Sequence, residues 1–280
     1  IFNWKKNMLK KGGYPSELEW LLDIYGGLDW QSIQYLIIDK NKDFKLKNSL
    51  RNIENIWIKY IEDQIPLQYL IGRSCWRNFE LEVSPGVLIP RQETELLVEL
   101  AFTKYQGNNL NRWVDLGTGS GAISIALAMK YPKAQGHAVD ISEIAINQAK
   151  VNINALVPLA NINLHLGDWW GPLKKWWGNI DLVLANPPYI PSFEIRGLSP
   201  LVKKNEPLIA LDGGITGLKC CEEIIQGAKY AIRKGGWLML EHHHDQSKQV
   251  ISLFNENGFD DIRAANDMEG NNRFVIGKKN

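Results

Sequence analysis

The sequence predicts an α/β protein: a parallel sheet flanked by helices, preceded by a small all-helical domain and joined to it by a β-hairpin. Three observations carry this. From Trp113 onward, short apolar segments alternate with amphipathic ones, the signature of a parallel sheet with helical crossovers. Residues 1–74 show helical periodicity and turn signals only. Between Trp76 and Ile89 the period changes to two. The 280 residues suit two domains, and 45% hydrophobic with 22% charged residues is ordinary for a globular chain. Expected boundaries are 1–74 for the helical domain, 75–90 for the hairpin linker and 91–280 for the sheet domain.

The first clear helix start is Ser16-Glu17-Leu18-Glu19, a capping-box pattern in which Ser16 and Glu19 satisfy free amide donors. Leu18, Leu21, Leu22 and Tyr25 then form one apolar face, and Gly26-Gly27 supplies a stop. A second helix is expected over residues 30–38. A third starts near Leu50, with Ile53, Ile56, Trp57, Tyr60 and Ile61 on one side and Pro66 ending the stretch. Phe79, Leu81 and Val83 alternate with polar residues, Ser84-Pro85-Gly86 reads as a turn, and Val87-Leu88-Ile89 returns as a strand. Pro90 breaks it, and a helix through Glu93, Leu96, Leu97 and Leu100 follows. Parallel strands are expected at 112–116, 135–140, 162–166, 181–185 and 236–241, with helices starting near Gly121, Ser142, Gly217 and Asp245. Residues 260–264 and 273–277 read as an antiparallel pair at the sheet edge.

Composition excludes several function classes. A net charge of +1, from 32 basic and 31 acidic residues, gives no overall basic footprint for nucleic acid. No apolar run approaches the ~20 residues that span a bilayer, and residues 1–13 contain no apolar signal core. A cytoplasmic protein with no membrane partner is expected. Cys75, Cys220 and Cys221 are odd in number and form no C-x-x-C pair, so reduced, structural thiols are expected. His242-His243-His244 sit at a strand end, where successive side chains point in alternating directions, and no second ligand group lies at helical spacing. No metal is expected.

Val114-Asp115-Leu116-Gly117-Thr118-Gly119-Ser120-Gly121 runs from a strand end through a glycine turn into a helix start. Such a turn lets a ligand approach the backbone and meet the amides of the helix N-terminus, at the sheet edge where open α/β folds bind ligands. The glycines fall at G-x-G-x-G and not at the G-x-G-x-x-G of a dinucleotide fingerprint, which suits a nucleoside with an amino-acid moiety better than a pyrophosphate. Asp140 ends the next strand, 19 residues after Gly121, where a carboxylate accepts from ribose hydroxyls and repels a 2′-phosphate. Its alternative, a helix cap, is better filled by Ser142. Asp168 and Trp169 follow the third strand, placed to accept from an adenine amine and to cover the base. Trp170, Trp176 and Trp177 read as packing.

After the apolar strand at 181–185 comes Asn186-Pro187-Pro188-Tyr189. The prolines fix their own φ and remove two amide donors, leaving a rigid turn whose carbonyl is free to accept. The Asn186 side-chain oxygen is a second acceptor and Tyr189 offers a ring face. Two acceptors and a ring grip a planar NH₂ group. The predicted reaction is methyl transfer from S-adenosylmethionine to such a nitrogen, because a sulfonium donor is already activated and needs chiefly orientation. No Ser/His/Asp triad and no dedicated base are evident.

These residues resemble the PrmC/HemK family of peptide chain release factor glutamine methyltransferases over nearly the whole chain. The resemblance is carried by residues 66–72, by Val87-Leu88-Ile89-Pro90-Arg91-Gln92-Glu93-Thr94-Glu95, by Asp115 to Gly121, Asp140, and Asn186 to Pro191. Glu206-Pro207, Ala210-Leu211, Gly213-Gly214, Gly217-Leu218, Glu241, Gln246, Asp267, Gly270 and Arg273 continue it. It implies a seven-stranded class I (Rossmann-like) methyltransferase domain. The implied substrate is the glutamine of the Gly-Gly-Gln motif in class 1 release factors, methylated on its side-chain amide, with the helical domain docking this protein partner. A monomer is expected, with no direct nucleic-acid contact. Candidate cofactor residues are Asp115, Gly117, Thr118, Gly119, Ser120, Gly121, Asp140, Asp168, Trp169 and Asn186. Candidate catalytic and substrate residues are Asn186, Pro187, Pro188 and Tyr189, joined by Arg91, which can contact substrate, brace Asn186, or pair with Glu93 or Glu95. Gln92 stands where the family usually has Pro and His243 where Gly is common, departures that bear on loop geometry.

Asn-Pro-Pro-Tyr also occurs in adenine and guanine amino-methyltransferases, so a nucleic-acid substrate is the main alternative; the balanced charge weighs against it. A non-catalytic binding module is disfavoured by the intact motifs. An NAD-dependent oxidoreductase is disfavoured by the glycine spacing.

Overall fold

In the computed structural model, residues 1–39, 44–106 and 110–280 are described. They form two compact units, Ile1–Gly72 with Pro200–Asn205, and Arg73–Ser199 with Glu206–Asn280. The smaller unit begins with α1 (Phe2–Lys11), α2 (Pro15–Ile24), α3 (Trp30–Ile38), α4 (Leu50–Glu62) and α5 (Leu67–Ile71). Leu18, Leu21, Leu22, Ile53 and Trp57 are fully buried at its centre. The Trp57 indole is satisfied by donating to the Met8 carbonyl at 3.2 Å. α2 starts one step before the capping box read from sequence. Pro15 takes the first helical position, where its missing N–H costs nothing, so Tyr14 becomes the cap and Glu17 accepts from its amide at 3.0 Å.

The larger unit opens with the hairpin β1 (Arg73–Trp76) and β2 (Phe79–Glu82), earlier than its sequence-based placement. The turn puts Arg77 at φ 54°, and its amide donates to Glu95 Oε1 at 2.8 Å, a partner that no local pattern reveals. Ser84 to Gly86 does turn, but Val87, Leu88 and Ile89 belong to no strand.

Then follow α6 (Thr94–Lys104), β3 (Arg112–Leu116), α7 (Ala122–Lys130), β4 (Gln135–Asp140), α8 (Glu143–Leu156), β5 (Ile162–Leu166) and β6 (Ile180–Ala185). The chain contributes α9 (Pro200–Asn205) to the helical unit, where Leu201 packs on the core. It then continues with α10 (Lys219–Ala231), β7 (Ile232–Glu241), α11 (Ser247–Glu256), β8 (Phe259–Asn266) and β9 (Asn272–Lys279).

The seven strands lie in the order β5-β4-β3-β6-β7-β9-β8. Strands β3 to β7 are parallel, and β9 runs antiparallel to both of its neighbours. All six residues of β6 are buried. Leu182 and Leu184 join the core that holds Trp113 and Leu127, whereas Val183 and Ala185 join the core that holds Ile224 and Phe254. Alternate side chains thus fill two cores, and the result is a three-layer α/β/α domain of Rossmann-like class. Because β3 to β7 are parallel, Leu116, Asp140, Leu166, Ala185 and Glu241 all end at one sheet edge. The order reverses between β3 and β6, the position where open sheets of this kind form a ligand crevice.

Candidate active site

A cavity of about 750 Å³ lies at that edge, within the larger unit. One wall is the glycine turn. Gly117, Gly119 and Gly121 have φ of 76°, 55° and 86°, left-handed values that favour glycine at all three positions. A Cβ on Gly119 would meet no protein atom within 4 Å, so the space beside it is open to a ligand. One on Gly121 would lie 3.3 Å from Ala149, so that glycine serves close packing against α8. Thr118, Gly119 and Ser120 line the cavity; Asp115 and Gly121 stand behind it.

Asp115 is fully buried. Its Oδ2 accepts from the Thr118 and Ser124 hydroxyls, each at 2.7 Å, and from the Ser124 amide at 3.1 Å. Its Oδ1 has no hydrogen-bond partner among the described residues, and burial pushes the carboxyl up to about 6. Asp140 lines the cavity and accepts from the Gly119 amide at Oδ2 and the Ser142 amide at Oδ1, both at 2.9 Å. Ser142 takes the helix cap, accepting from the Ala145 amide at 3.3 Å. A carboxylate offers about four acceptor positions, so Asp140 retains capacity for two hydroxyl donors. Burial raises its pKa.

Asp168 and Trp169 also line the cavity. The Trp169 ring lies 3.5 Å from where a Gly117 Cβ would stand, and its indole donates to Glu223 Oε2 at 3.0 Å. Trp170 is buried, with its indole donating to the Ile224 carbonyl, while Trp176 lies against His137 and Trp177 against Tyr230. A nucleoside with an amino-acid tail fits these surroundings: open space at Gly119, a carboxylate with spare acceptors, an indole face, and an unpaired buried Oδ1 behind the turn.

Asn186 and Pro188 line the same cavity, whereas Pro187 is buried and Tyr189 turns away from it. Asn186 Nδ2 donates to the Thr94 hydroxyl at 2.9 Å, and Oδ1 takes no bond among the described residues. The Pro188 carbonyl likewise accepts no backbone bond among them. The Tyr189 hydroxyl donates to Glu241 Oε1 at 3.4 Å, its carbonyl accepts from Gln246 Nε2 at 3.0 Å, and burial raises its phenol pKa. Its ring therefore braces the turn and does not line the cavity, unlike the ring face expected from sequence.

Arg91 lines the cavity but pairs with neither Glu93 nor Glu95, and it does not brace Asn186. Its Nη2 donates to Glu206 Oε2 at 2.7 Å. Glu206 is nearly inaccessible and burial raises its pKa, so the guanidinium acts as its counterion. Thr94, Glu206 and Glu241 were not among the expected site residues. They lie inside the family-like segments, but nothing in local spacing joins them. Leu208, Ile209, Lys219 and Glu223 also line the cavity; they were not expected there and lie outside the residues that carry the resemblance. At the departures from the family pattern, the Gln92 carbonyl accepts from Glu95, and His243 bonds Asp245 and Gln246.

The family profile described as "Methyltransferase domain" matches residues 108–273. A release factor glutamine methyltransferase from Prochlorococcus marinus is 49% identical over 99% of this chain and 95% of its own length. The chain belongs to the release factor glutamine methyltransferase family. Relatives bearing that description in Synechocystis and Gloeobacter violaceus are 38% and 39% identical. They match 92% and 93% of this chain and 88% and 89% of their own lengths. The protein is therefore a methyltransferase, and S-adenosylmethionine is its methyl donor. Among the described residues no helix is long and apolar enough to cross a membrane, and no group of three His, Cys, Asp or Glu is placed to hold a metal.

Proposed function

We propose that this protein methylates the side-chain amide nitrogen of the glutamine in the Gly-Gly-Gln motif of class 1 peptide chain release factors. One observation carries the chemistry. Asn186 has its NH₂ group committed to Thr94 and its Oδ1 left over, in the same cavity as Gly119 and Asp140. When bound, S-adenosylmethionine supplies a methyl group on a sulfonium that needs no further activation. Asp140 accepts from the ribose hydroxyls, Trp169 covers the base, and Asp168 accepts from its amine. Thr118, Gly119 and Ser120 line the path of the amino-acid tail, supported by Asp115, Gly117 and Gly121.

The target amide is a weak nucleophile because its lone pair is delocalised. Asn186 Oδ1 and the Pro188 carbonyl accept hydrogen bonds from its two N–H groups, which raises electron density on nitrogen and fixes the NH₂ plane for in-line attack. As the N–CH₃ bond forms, the S–CH₃ bond would break to leave S-adenosylhomocysteine, and one N–H proton would pass to solvent. Pro187 keeps the turn rigid, Tyr189 braces it from behind, and Arg91 borders the entry. The helical unit docks the protein partner. The enzyme acts as a cytoplasmic monomer without direct nucleic-acid contact, in keeping with its net charge of +1.

Incubation with labelled donor and either release factor or nucleic acid tests the reading. Label is expected in the release factor alone; label confined to nucleic acid would contradict it.

A further inference from the structure

The clamp on Asn186 reaches deeper than the cavity wall. Thr94, buried at the start of α6, donates its hydroxyl to Glu241 Oε2 at 2.7 Å and accepts from Asn186 Nδ2 at 2.9 Å. Glu241 ends β7, is buried, and does not line the cavity. A hydroxyl has one proton, and a carboxylate can only accept. The Thr94 proton therefore goes to Glu241, and the Thr94 lone pair must take the Asn186 NH₂. That order of donors leaves Oδ1 as the group Asn186 presents to the cavity. The reverse order would place one NH₂ against another. The second Glu241 oxygen accepts from the Tyr189 hydroxyl, so one carboxylate holds both ends of the Asn-Pro-Pro-Tyr turn.

We infer that Glu241 and Thr94 are positioning residues for the target amide: the buried carboxylate dictates, through the Thr94 hydroxyl, which end of the Asn186 side chain meets the acceptor nitrogen. The inference rests on the proposed amide chemistry and adds the device that orients it. Protonation reverses it. With the proton on Oε2, neutral Glu241 donates to Thr94, whose own proton is then released towards Asn186, and the Asn186 amide turns over. The groups facing Glu241 are Thr94 and Glu93 at the start of α6, Tyr189 after β6, and Arg273 on β9. Burial outweighs the two hydroxyls and Arg273, with Glu93 adding to it, and places the carboxyl at about 7. An acid limb in the turnover number is therefore expected near neutral pH.

The test compares full-length wild type, Thr94→Val, Thr94→Ser and Glu241→Gln. Kinetics with release factor are measured alongside donor affinity by calorimetry. Thr94→Val is expected to lower kcat about 30-fold, the scale of a buried amide hydrogen bond left unmade, with donor Kd within about twofold. Thr94→Ser is expected to retain most activity, and Glu241→Gln to flatten the acid limb. Thr94→Val with wild-type kcat, or Thr94→Ser as impaired as Thr94→Val, would overturn the inference. Because these variants can unfold, the Asn186 side-chain NH₂ resonance is also followed by NMR in the free protein. It is expected to titrate with a midpoint near 7 in wild type and to stay fixed in Glu241→Gln. A fixed wild-type resonance, or the same titration in both, would overturn it. If wild type modifies only nucleic acid, the release-factor reading fails while the NMR titration still judges the orienting device.

Discussion

Asn186 owes its value to what its neighbours leave free. Its spacing after a buried strand and before two prolines made it legible in the sequence, as did the placement of Asp140 and Gly119 in the cofactor turn. Its orientation was not legible, because Thr94 and Glu241 lie 92 and 147 residues apart in the two hydrogen bonds that set it. The partner of Arg91 was hidden for the same reason, at a separation of 115 residues. Asn186→Ala is expected to lower kcat by about 10²-fold, as expected for one oriented group at the reacting centre, while donor Kd measured by calorimetry stays unchanged. Glu241 carries a second consequence. Its folded pKa of about 7 lies above the ordinary 4.5. The stability this contributes is full below 4.5 and is lost as pH rises through about 7. Glu241→Gln should therefore gain stability relative to wild type between pH 4 and pH 8, by up to about 3 kcal/mol in denaturant melts. A pH-independent difference would contradict the burial of this charge.

Secondary structure was legible where one period dominates. β6 and the end of β7 carry near-continuous apolar runs, and all five parallel strands, with the crossover helices, fall within a few residues of their expected places. The misses have physical causes. α1 is lysine-rich with Met8 as its one buried residue, so it lacks a clear apolar stripe. The hairpin turn falls at Arg77 and not at Ser84 to Gly86, because Glu95 from α6 holds the Arg77 amide. The turn at Gly213 to Gly217, which meets the cavity at Gly214, shows why backbone contacts behind the cavity wall matter. Gly217 has φ 74°, and a Cβ there would lie 2.3 Å from the Tyr189 carbonyl oxygen and 2.4 Å from Gln246 Nε2. Gly217→Ala is expected to displace the Gln246 clamp, cost at least about 2 kcal/mol in stability from strain and the lost bond, and lower kcat. A melt and a rate both equal to wild type would show that this clamp is dispensable.

At the scale of the molecule, the chemistry belongs to the larger unit and the proposed docking of a protein partner to the helical one. The helical unit leaves Tyr14 and Trp30 about 70% and 67% exposed, large apolar groups of the kind that mark contact surfaces. Replacing both by Ala should raise KM for release factor several-fold with donor Kd unchanged; an unchanged KM would remove them from the docking surface. The methyl-acceptor chemistry follows from one edge of the sheet, whereas the identity of the acceptor rests on family membership and the balanced charge. Mass spectrometry of a release factor after incubation with this protein and S-adenosylmethionine joins the two most directly. A single added methyl group on the glutamine of the Gly-Gly-Gln peptide, absent with Asn186→Ala, is the predicted result; an unmodified peptide, or a methyl group elsewhere, would contradict it.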